Sequence, residues 1–466
     1  MRKLVLLFIC CSACASFAQP AKVQPAALEF YQQGIVFWMS GELDSAFFAF
    51  EAALEKSPDY FEARLAVGDL NLQAARYPHA RKAYQRVLKI RPNAASAHLG
   101  LGHVFWQEEQ NFPRALEAYR QALACEPENA EANYYAGHAL VFEQKHDEAI
   151  PLLEKAIQHD PSYAKPHESL ALAHMIKGQN EQAALHWREL KRKGGISHTL
   201  LEFNQNLLHT VAENGILFTN GEEDTYPIWY LQMSEGVRRD VSVVNLGLLN
   251  FTWYVRMLRE RDPKLGIRYD DDYLRERLQE RYWPKPAKAE VAGLHWLLPP
   301  PPGYKNLRVQ EVVTLDLLAW NAWHRPVYFA VTLAPENKLG LEEFLSMEGL
   351  AWRLHAQKVA AVQIDSTWVN VRKRYSYVHV KDYNEPSGAP GLFSNYGTVF
   401  CMLAEAFLQR RDRENCREVL LWADSVGVLK DATSNAWAAR LATGIGHDEL
   451  AVRFNLKAVR LKRGSR

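Results

Sequence analysis

The chain has 466 residues, 48% of them hydrophobic and 23% charged, with a formal net charge of +1. That length holds roughly two to four domains with sizeable cores, and the composition is that of a folded rather than a disordered chain. Near-neutrality gives no sign of the basic footprint of a nucleic-acid binder; no basic run is longer than Lys191–Lys193, which, ahead of Gly194 and Gly195, reads as a helix C-terminus.

The first 18 residues read as an export signal. Arg2 and Lys3 precede an apolar run from Leu4 to Cys11, and Ser16-Phe17-Ala18 forms a small-x-small cleavage site before Gln19. A second processing route stays open, with Cys14 acylated as in a lipoprotein, although Cys11 stands where such sites usually carry leucine. The apolar run is too short to span a bilayer, and no later run of 18 apolar residues exists. The expected location is therefore periplasmic, either free or lipid-anchored. Beyond the signal remain Cys125, Cys401 and Cys416, a count and spacing that fit neither a disulfide framework nor a zinc site. A Cys401–Cys416 bridge is the alternative to two reduced core cysteines.

From residue 27 to about 197 the sequence repeats. Gly34, Gly68, Gly102, Gly137 and Ala171 form one ladder, Ala46, Ala80, Ala115, Ala149 and Ala183 a second, and Pro58, Pro92, Pro127 and Pro161 a third. Each steps by 34 residues with one step of 35, which places an extra residue in the turn QEEQNF. Phe50, Tyr84, Tyr119, Leu153 and Trp187 share one further position. These ladders resemble the tetratricopeptide repeat, in which small residues let two helices approach closely. The resemblance implies five helix pairs stacked into an α-solenoid, with a groove that takes a protein or peptide partner. Arg64, His98, Asn133 and His167, each at the fourth position of its unit, are the candidate groove residues. Their spacing fits no metal-ligand pattern, so no metal is expected.

Between about 211 and 395 the period changes. Ile216–Thr219 is an apolar run ending at Asn220-Gly221; a helical stretch, Thr225–Gly236, follows, then an apolar run from Val241 and a second helical stretch, Phe251–Arg261. Glu311–Trp323 reads as a helix and Arg325–Thr332 as a buried strand. Pro299–Gly303 reads as a stiff connector, and Trp368–His379, with alternating character, as an added edge strand. Strand alternating with helix predicts an α/β module built on a parallel sheet. From 396 to 466, Phe400–Ala423 and Trp437–Ala458 read as helical pairs. Ala404 and Ala438, and Leu420 and Phe454, are each 34 apart, so this end reads either as further repeat units or as generic helical pairs.

The stretches ILFTNGEEDTYPIWYLQMSEGVRRDVSVVNLGLLNFTWYV, VVTLDLLAWNAWHRPVYFAVT and LGLEEFLSMEGLAWRL resemble, in that order, the soluble C-terminal module of protein O-mannosyltransferase-like membrane glycosyltransferases. In that family a membrane part carries the transfer chemistry. Here repeats take its place, so the resemblance implies an association with glycosylation or sugar binding, not transferase activity. The family's turn reads N-G-D-N-D-T; Asn220, Gly221, Asp224 and Thr225 keep its outer residues, while Glu222 and Glu223 replace the middle pair. Gly247 replaces a usual serine.

Ligands of open α/β sheets lie beyond the carboxyl ends of the strands. Asn220, Glu222, Asp224 and Thr225 at one such end, with Asn245, Asn250 and Tyr254 at the next, form the candidate ligand site. Trp229, Tyr230 and Trp253 would supply stacking surfaces, and Glu348, Gly349 and Arg353 would line the same end. The plainer reading is that Asp224 or Thr225 caps the following helix. Asp270–Asp272 reads likewise as a helix start, and Arg325 as an ion-pair partner of Asp316. No protease, hydrolase-elbow, phosphate-loop or dinucleotide motif is present, and no cofactor is expected. The leading expectation is a noncatalytic, exported interaction scaffold or accessory factor of the cell envelope; the alternative is a carbohydrate-binding protein using residues 220–254.

Overall fold

The computed structural model describes residues 23–109, 111–382 and 390–464. The export signal and Cys14 lie outside them. The chain divides into two compact units, residues 1–173 and 174–466.

The first unit is a stack of helix pairs: α1 (Pro25–Ser40) with α2 (Leu43–Lys56), α3 (Phe61–Gln73) with α4 (Tyr77–Ile90), α5 (Ala95–Glu109) with α6 (Phe112–Cys125), and α7 (Ala130–Phe142) with α8 (His146–His159). The start of α9 (Lys165–Ile176) follows. Pro25, Pro78 and Pro113 occupy first turns, where a missing amide costs nothing. The ladders explain the pairing. A Cβ added at Gly34, Gly68, Gly102 or Gly137 would lie within 2.7 Å of Phe50, Tyr84, Tyr119 or Leu153 respectively. One large side chain of each second helix therefore fills the gap left by glycine on the first, and Ala46, Ala80, Ala115 and Ala149 are fully buried beside it. First helices of successive units also touch, as α3 does α5.

The second unit begins with α10 (Asn180–Arg192) and α11 (His198–Thr210). Then come β1 (Ile216–Thr219), α12 (Tyr226–Ser234), β2 (Ser242–Asn245), α13 (Thr252–Glu260) and α14 (Asp271–Glu276). β3 (Arg281–Tyr282), β4 (Ala287–Val291), β5 (Leu294–Leu298) and β6 (Asn306–Leu307) make two small antiparallel ribbons, β3–β6 and β4–β5. α15 (Val309–Asn321), β7 (Val327–Ala330), β8 (Leu345–Met347), β9 (Ala351–Leu354) and α16 (Ile364–Val369) complete the module. The five-stranded sheet has the order β2-β1-β7-β9-β8. Its first three strands are parallel, with Phe218 facing Val244 and Phe329 in register, and each is buried along its length. β9 and β8 add antiparallel strands, so the sheet is mixed rather than wholly parallel. Four helices close the chain: α17 (Pro390–Gln409), α18 (Arg413–Ser425), α19 (Ala432–Gly444) and α20 (Asp448–Gly464), packed as α17–α18 and α19–α20 with α17 against α19. Ala404, Ala438, Leu420 and Phe454 are fully buried between them.

Two expectations are corrected, and one element had no counterpart among them. Trp368–His379 is not an edge strand: Ile364, Thr367, Asn370 and Val371 are buried at helical spacing, and the segment continues α16 as a π turn over Asn370–Arg374. Arg325 does not pair with Asp316; it donates to the carbonyls of Asn214 (2.7 Å), Gly215 (3.1 Å) and Lys264 (3.2 Å) and to Ser242 Oγ (2.8 Å). Asp316 instead accepts from Tyr269. The β4–β5 hairpin was not expected, because its two-residue turn is Ala292-Gly293, both with positive φ, where asparagine-glycine is the usual sequence signal. Asp270 caps α14 as expected, accepting from Tyr273 N at 2.7 Å. Cys125, Cys401 and Cys416 are free thiols, the latter two buried.

Replacing Gly102 by alanine tests the knob. Alanine gains about 1 kcal/mol in helix propensity, but its Cβ would lie 2.2 Å from the Tyr119 ring, which the His103 imidazole holds at 3.1 Å from its hydroxyl. Overpacking of this kind costs about 1–3 kcal/mol. A lower urea midpoint with unchanged slope is expected; a higher midpoint would show that the ring yields freely.

Candidate functional site

The turn after β1 is built around one carboxylate. Asp224 is buried and accepts from the backbone amides of Asn220 (2.9 Å to Oδ2) and Gly221 (2.8 Å to Oδ1), and from the hydroxyl of Thr332 just beyond β7. Burial lifts its pKa, and the bonds from Thr332, Asn220 and Gly221 pull the other way. Beside it Thr225 Oγ1 lies 2.7 Å from Thr219 Oγ1 and accepts from Asn245 Nδ2 at 2.9 Å. Asn245 Nδ2 also donates to Gly221 O (3.0 Å), its Oδ1 accepts from Leu248 N (2.9 Å), and its own amide donates to the Tyr254 hydroxyl (2.9 Å). Asn250 exchanges bonds with Gln310, donating at 2.8 Å and accepting at 3.1 Å.

The structure thus brings Asn220, Asp224, Thr225, Asn245 and Tyr254 together at adjacent strand ends, with Glu222 exposed on the turn. Neither plain capping role holds. Thr225 occupies the N-cap position without a side-chain cap bond, and Asp224 clasps the strand end instead of the helix start. The polar atoms of Asp224, Thr225 and Asn245 meet one another and the backbone. Trp229, Tyr230, Trp253 and Tyr254 are buried, so they form core and not a stacking platform: Tyr226 and Trp229 stack at 5.3 Å and Trp187 lies 6.2 Å from Trp229.

Glu348 and Arg353 lie at the other end of the sheet. Tyr328, fully buried, donates to Glu348 Oε2 at 3.0 Å, and Arg353 stands 3.5 Å from Oε1. They line a cleft of about 1150 Å³ together with Ala212 and Asp240, which precede β1 and β2. The register explains the reversal: β9 runs antiparallel to β7, which sets Arg353 opposite Tyr328 near the start of that strand. Among the described residues, no group of three or more His, Cys, Asp or Glu side chains is disposed to hold a metal ion. No helix among them is long and apolar enough to cross a membrane.

Three of the four expected groove residues bond to the turn that precedes their helix. Asn133 donates to Pro127 O at 2.9 Å, His98 lies 3.0 Å from Pro92 O, and Arg64 donates to Pro58 O. Each clips the turn six residues earlier, where one unit ends. His167, six residues after Pro161, is buried at the matching position. Asn435 repeats the clip in α19, donating to Leu429 O at 2.8 Å.

A different row faces outward between first helices. Trp38 Nε1 donates to Gln73 Oε1 (3.0 Å), His103 meets Tyr135 edge-on at 4.2 Å, Trp106 lies 5.1 Å from His138, and His138 Nδ1 is 2.8 Å from Ser169 Oγ. His103, Trp106, Tyr135 and His138 all remain partly exposed. They were missed because the fourth position looked polar and variable, whereas these aromatic positions looked like core.

Burial, then the Lys165 charge, lowers His103 and His138 to about 4. The unfolded rings bind a proton near 6.5, so their contribution to stability is lost as pH falls from about 6.5 to 4. Asp69 opposes this: burial raises it to about 6, so the folded state gains a proton before the unfolded chain does and recovers stability over about pH 6 to 4. Asp69→Asn should therefore steepen the drop in melting temperature between about pH 7 and 4.5, and His138→Gln should make it shallower. Unchanged slopes in both would show that neither group is buried as described.

At the strand end, Asp224→Ala should cost about 2–4 kcal/mol, since it leaves the backbone amides of Asn220 and Gly221 and the Thr332 hydroxyl without their acceptor. Asp224→Asn should cost less but still measurably, because one of its two terminal groups can no longer accept. Urea denaturation checks both.

Family models match two stretches of the chain. Tetratricopeptide repeat models match residues 37–102, 99–164 and 136–194. Residues 37–194 are tetratricopeptide repeats. A model described as TMEM260-associated domain 2 matches residues 200–265 and 284–373. Among solved structures the chain is similar to MamA (residue 41 to end) from Desulfovibrio magneticus RS-1, with 22% identity and a TM-score of 0.33 over 37% of this chain and 97% of that one. It is also similar to PilW, titled a widely conserved type IV pilus biogenesis factor, with 16% identity and a TM-score of 0.36 over 47% and 97%. YrrB, titled a repeat protein with an unusual peptide-binding site, gives 19% and 0.30 over 36% and 86%. No curated protein matches the chain.

Proposed function

We propose that the protein is a noncatalytic interaction scaffold of the cell envelope, exported by its first 18 residues, which holds a peptide on the row formed by its first repeat helices. The observation that carries this reading is the partly exposed row of His103, Trp106, Tyr135 and His138, held by hydrogen bonds and ring contacts between successive units. Fixed aromatic and imidazole faces bind apolar and aromatic side chains with little loss of conformational entropy. The clips at Arg64, His98 and Asn133 keep the spacing of the units, and hence of this row, constant.

The middle module supports a second element of the proposal. Its match to the TMEM260-associated model accords with the resemblance to the soluble part of membrane glycosyltransferases, and an accessory role beside a glycosylation system follows from that relation. Sugar binding at residues 220–254 has less support, since the aromatics there are buried and the polar atoms engaged.

Two measurements test the scaffold. Peptides selected from a phage-displayed library on the full chain should lose at least about tenfold in affinity, roughly 1.4 kcal/mol, when Trp106 and His138 are both replaced by alanine. Arg417→Gln, on the exposed face of α18, should leave binding unchanged; equal binding to all three proteins would overturn the groove. Expressed in a Gram-negative host, the chain should be recovered from the periplasm beginning at Gln19, or in the membrane fraction with a lipid on Cys14. A cytosolic product beginning at Met1 would overturn export.

A further inference from the structure

The second unit contains a cleft of about 1020 Å³ bounded by α10, α12, α13 and the edge strand β2. Its floor is apolar and adaptable: Met175, Trp229 and Met257 are buried and Met233 is half-buried. Methionine side chains repack around varied shapes at low cost. Its walls carry the guanidinium groups of Arg188, Arg239 and Arg261.

Those arginines differ from their neighbours. Arg238 is saturated by the carbonyls of Leu208, Val211 and Ala212 and by Asp240; Arg259 by Glu260, Asp271 and Tyr269 O; Arg325 by three carbonyls and Ser242. Arg261 makes no side-chain hydrogen bond or ion pair among the described residues, and neither does Arg188. Arg239 gives only Nε, to Gln232 O at 2.9 Å, which leaves its terminal nitrogens toward the cleft. Of the acids in the lining, Glu260 already binds Arg259 at 2.7 Å, while Glu181 and Asp262 are exposed at the rim. Arg261 is half-buried, and burial lowers its pKa, so its guanidinium bears a desolvation cost that no ion pair offsets.

We propose that this cleft binds an acidic peptide segment whose carboxylates engage Arg261, Arg188 and Arg239 while its alternate apolar side chains enter the methionine-lined floor. A carboxylate meets a guanidinium in two parallel hydrogen bonds, which supplies both energy and direction. The volume lies at the upper end of ordinary ligand pockets, too large for a lone inorganic anion and sufficient for several residues. This site is distinct from the aromatic row of the repeats and uses the opposite chemistry.

Fluorescence anisotropy on the full chain tests the assignment, with a labelled octapeptide alternating glutamate and leucine and a control alternating glutamine and leucine. The acidic peptide should bind at least about tenfold more tightly than the control, and the preference should shrink with added salt as ion-paired contacts are screened. Arg261→Met should abolish the preference while melting at or above the temperature of the parent, because it removes a half-buried charge that has no ion-pair partner. Arg188→Gln, on an exposed position of α10, should weaken binding several-fold, and Arg417→Gln should not change it. Equal binding of both peptides, or undiminished preference in Arg261→Met, would overturn the site. So would loss of binding in the Trp106 and His138 double variant with Arg261→Met unaffected, which would place the peptide on the repeats. Displacement by laurate at concentrations below those of the peptide would reassign the cleft to a small amphiphile.

Discussion

The α/β module is held at its strand ends by one buried charge. Three parallel strands that finish side by side leave a row of amides and carbonyls with nothing further along the chain to meet them, and loops of irregular shape must satisfy them. Asp224 does this for β1 and ties in the segment after β7, while Thr225 and Asn245 extend the bonding to β2. A carboxylate out of water is costly unless hydrogen bonds replace its hydration, and here the donors that replace it are the same amides that needed an acceptor. The two requirements cancel locally, which fixes the positions of α12 and α13 as they leave the sheet.

The consequence is a sheet whose usual ligand edge is closed. Space instead opens at the amino ends of the strands, around Glu348 and Arg353, and beyond the edge strand β2, around Arg261. Whether a strand end is a site or a seam depends on where its hydrogen bonds terminate. Asp224, Thr225 and Asn245 terminate on each other; Arg188 and Arg261 do not.

Much of the fold was legible because it is periodic or continuously apolar. Repeats announce themselves by the glycine that receives a ring, and β1, β2 and β7 by runs with no polar side to spare. The antiparallel half was hidden: β8 and β9 are short, and the β4–β5 turn uses alanine where asparagine would have signalled it. The segment from Ile364 misled because Trp368 and Val369 fall outside its buried face, so that alternation masked a helical spacing of Ile364, Thr367 and Val371. At the candidate site, sequence reading found the right residues and misread their task, since spacing shows which groups meet but not whether their lone pairs and protons are already engaged. Arg325 is the same lesson, its partners being carbonyls that carry no signature in the sequence.

The clips at Arg64, His98, Asn133 and Asn435 use three chemically different side chains for one bond to a carbonyl six residues back. Any donor of sufficient reach closes the turn, so the stacking of units does not depend on the identity of that residue, while the exposed aromatic row carries none of the stacking bonds to the turns. The clip position is therefore tolerant of residue type, whereas the aromatic row, whose rings and imidazoles also bridge successive units, ties recognition to assembly. Such a scaffold exchanges its binding preferences along that row only by changing, at the same time, how neighbouring units meet.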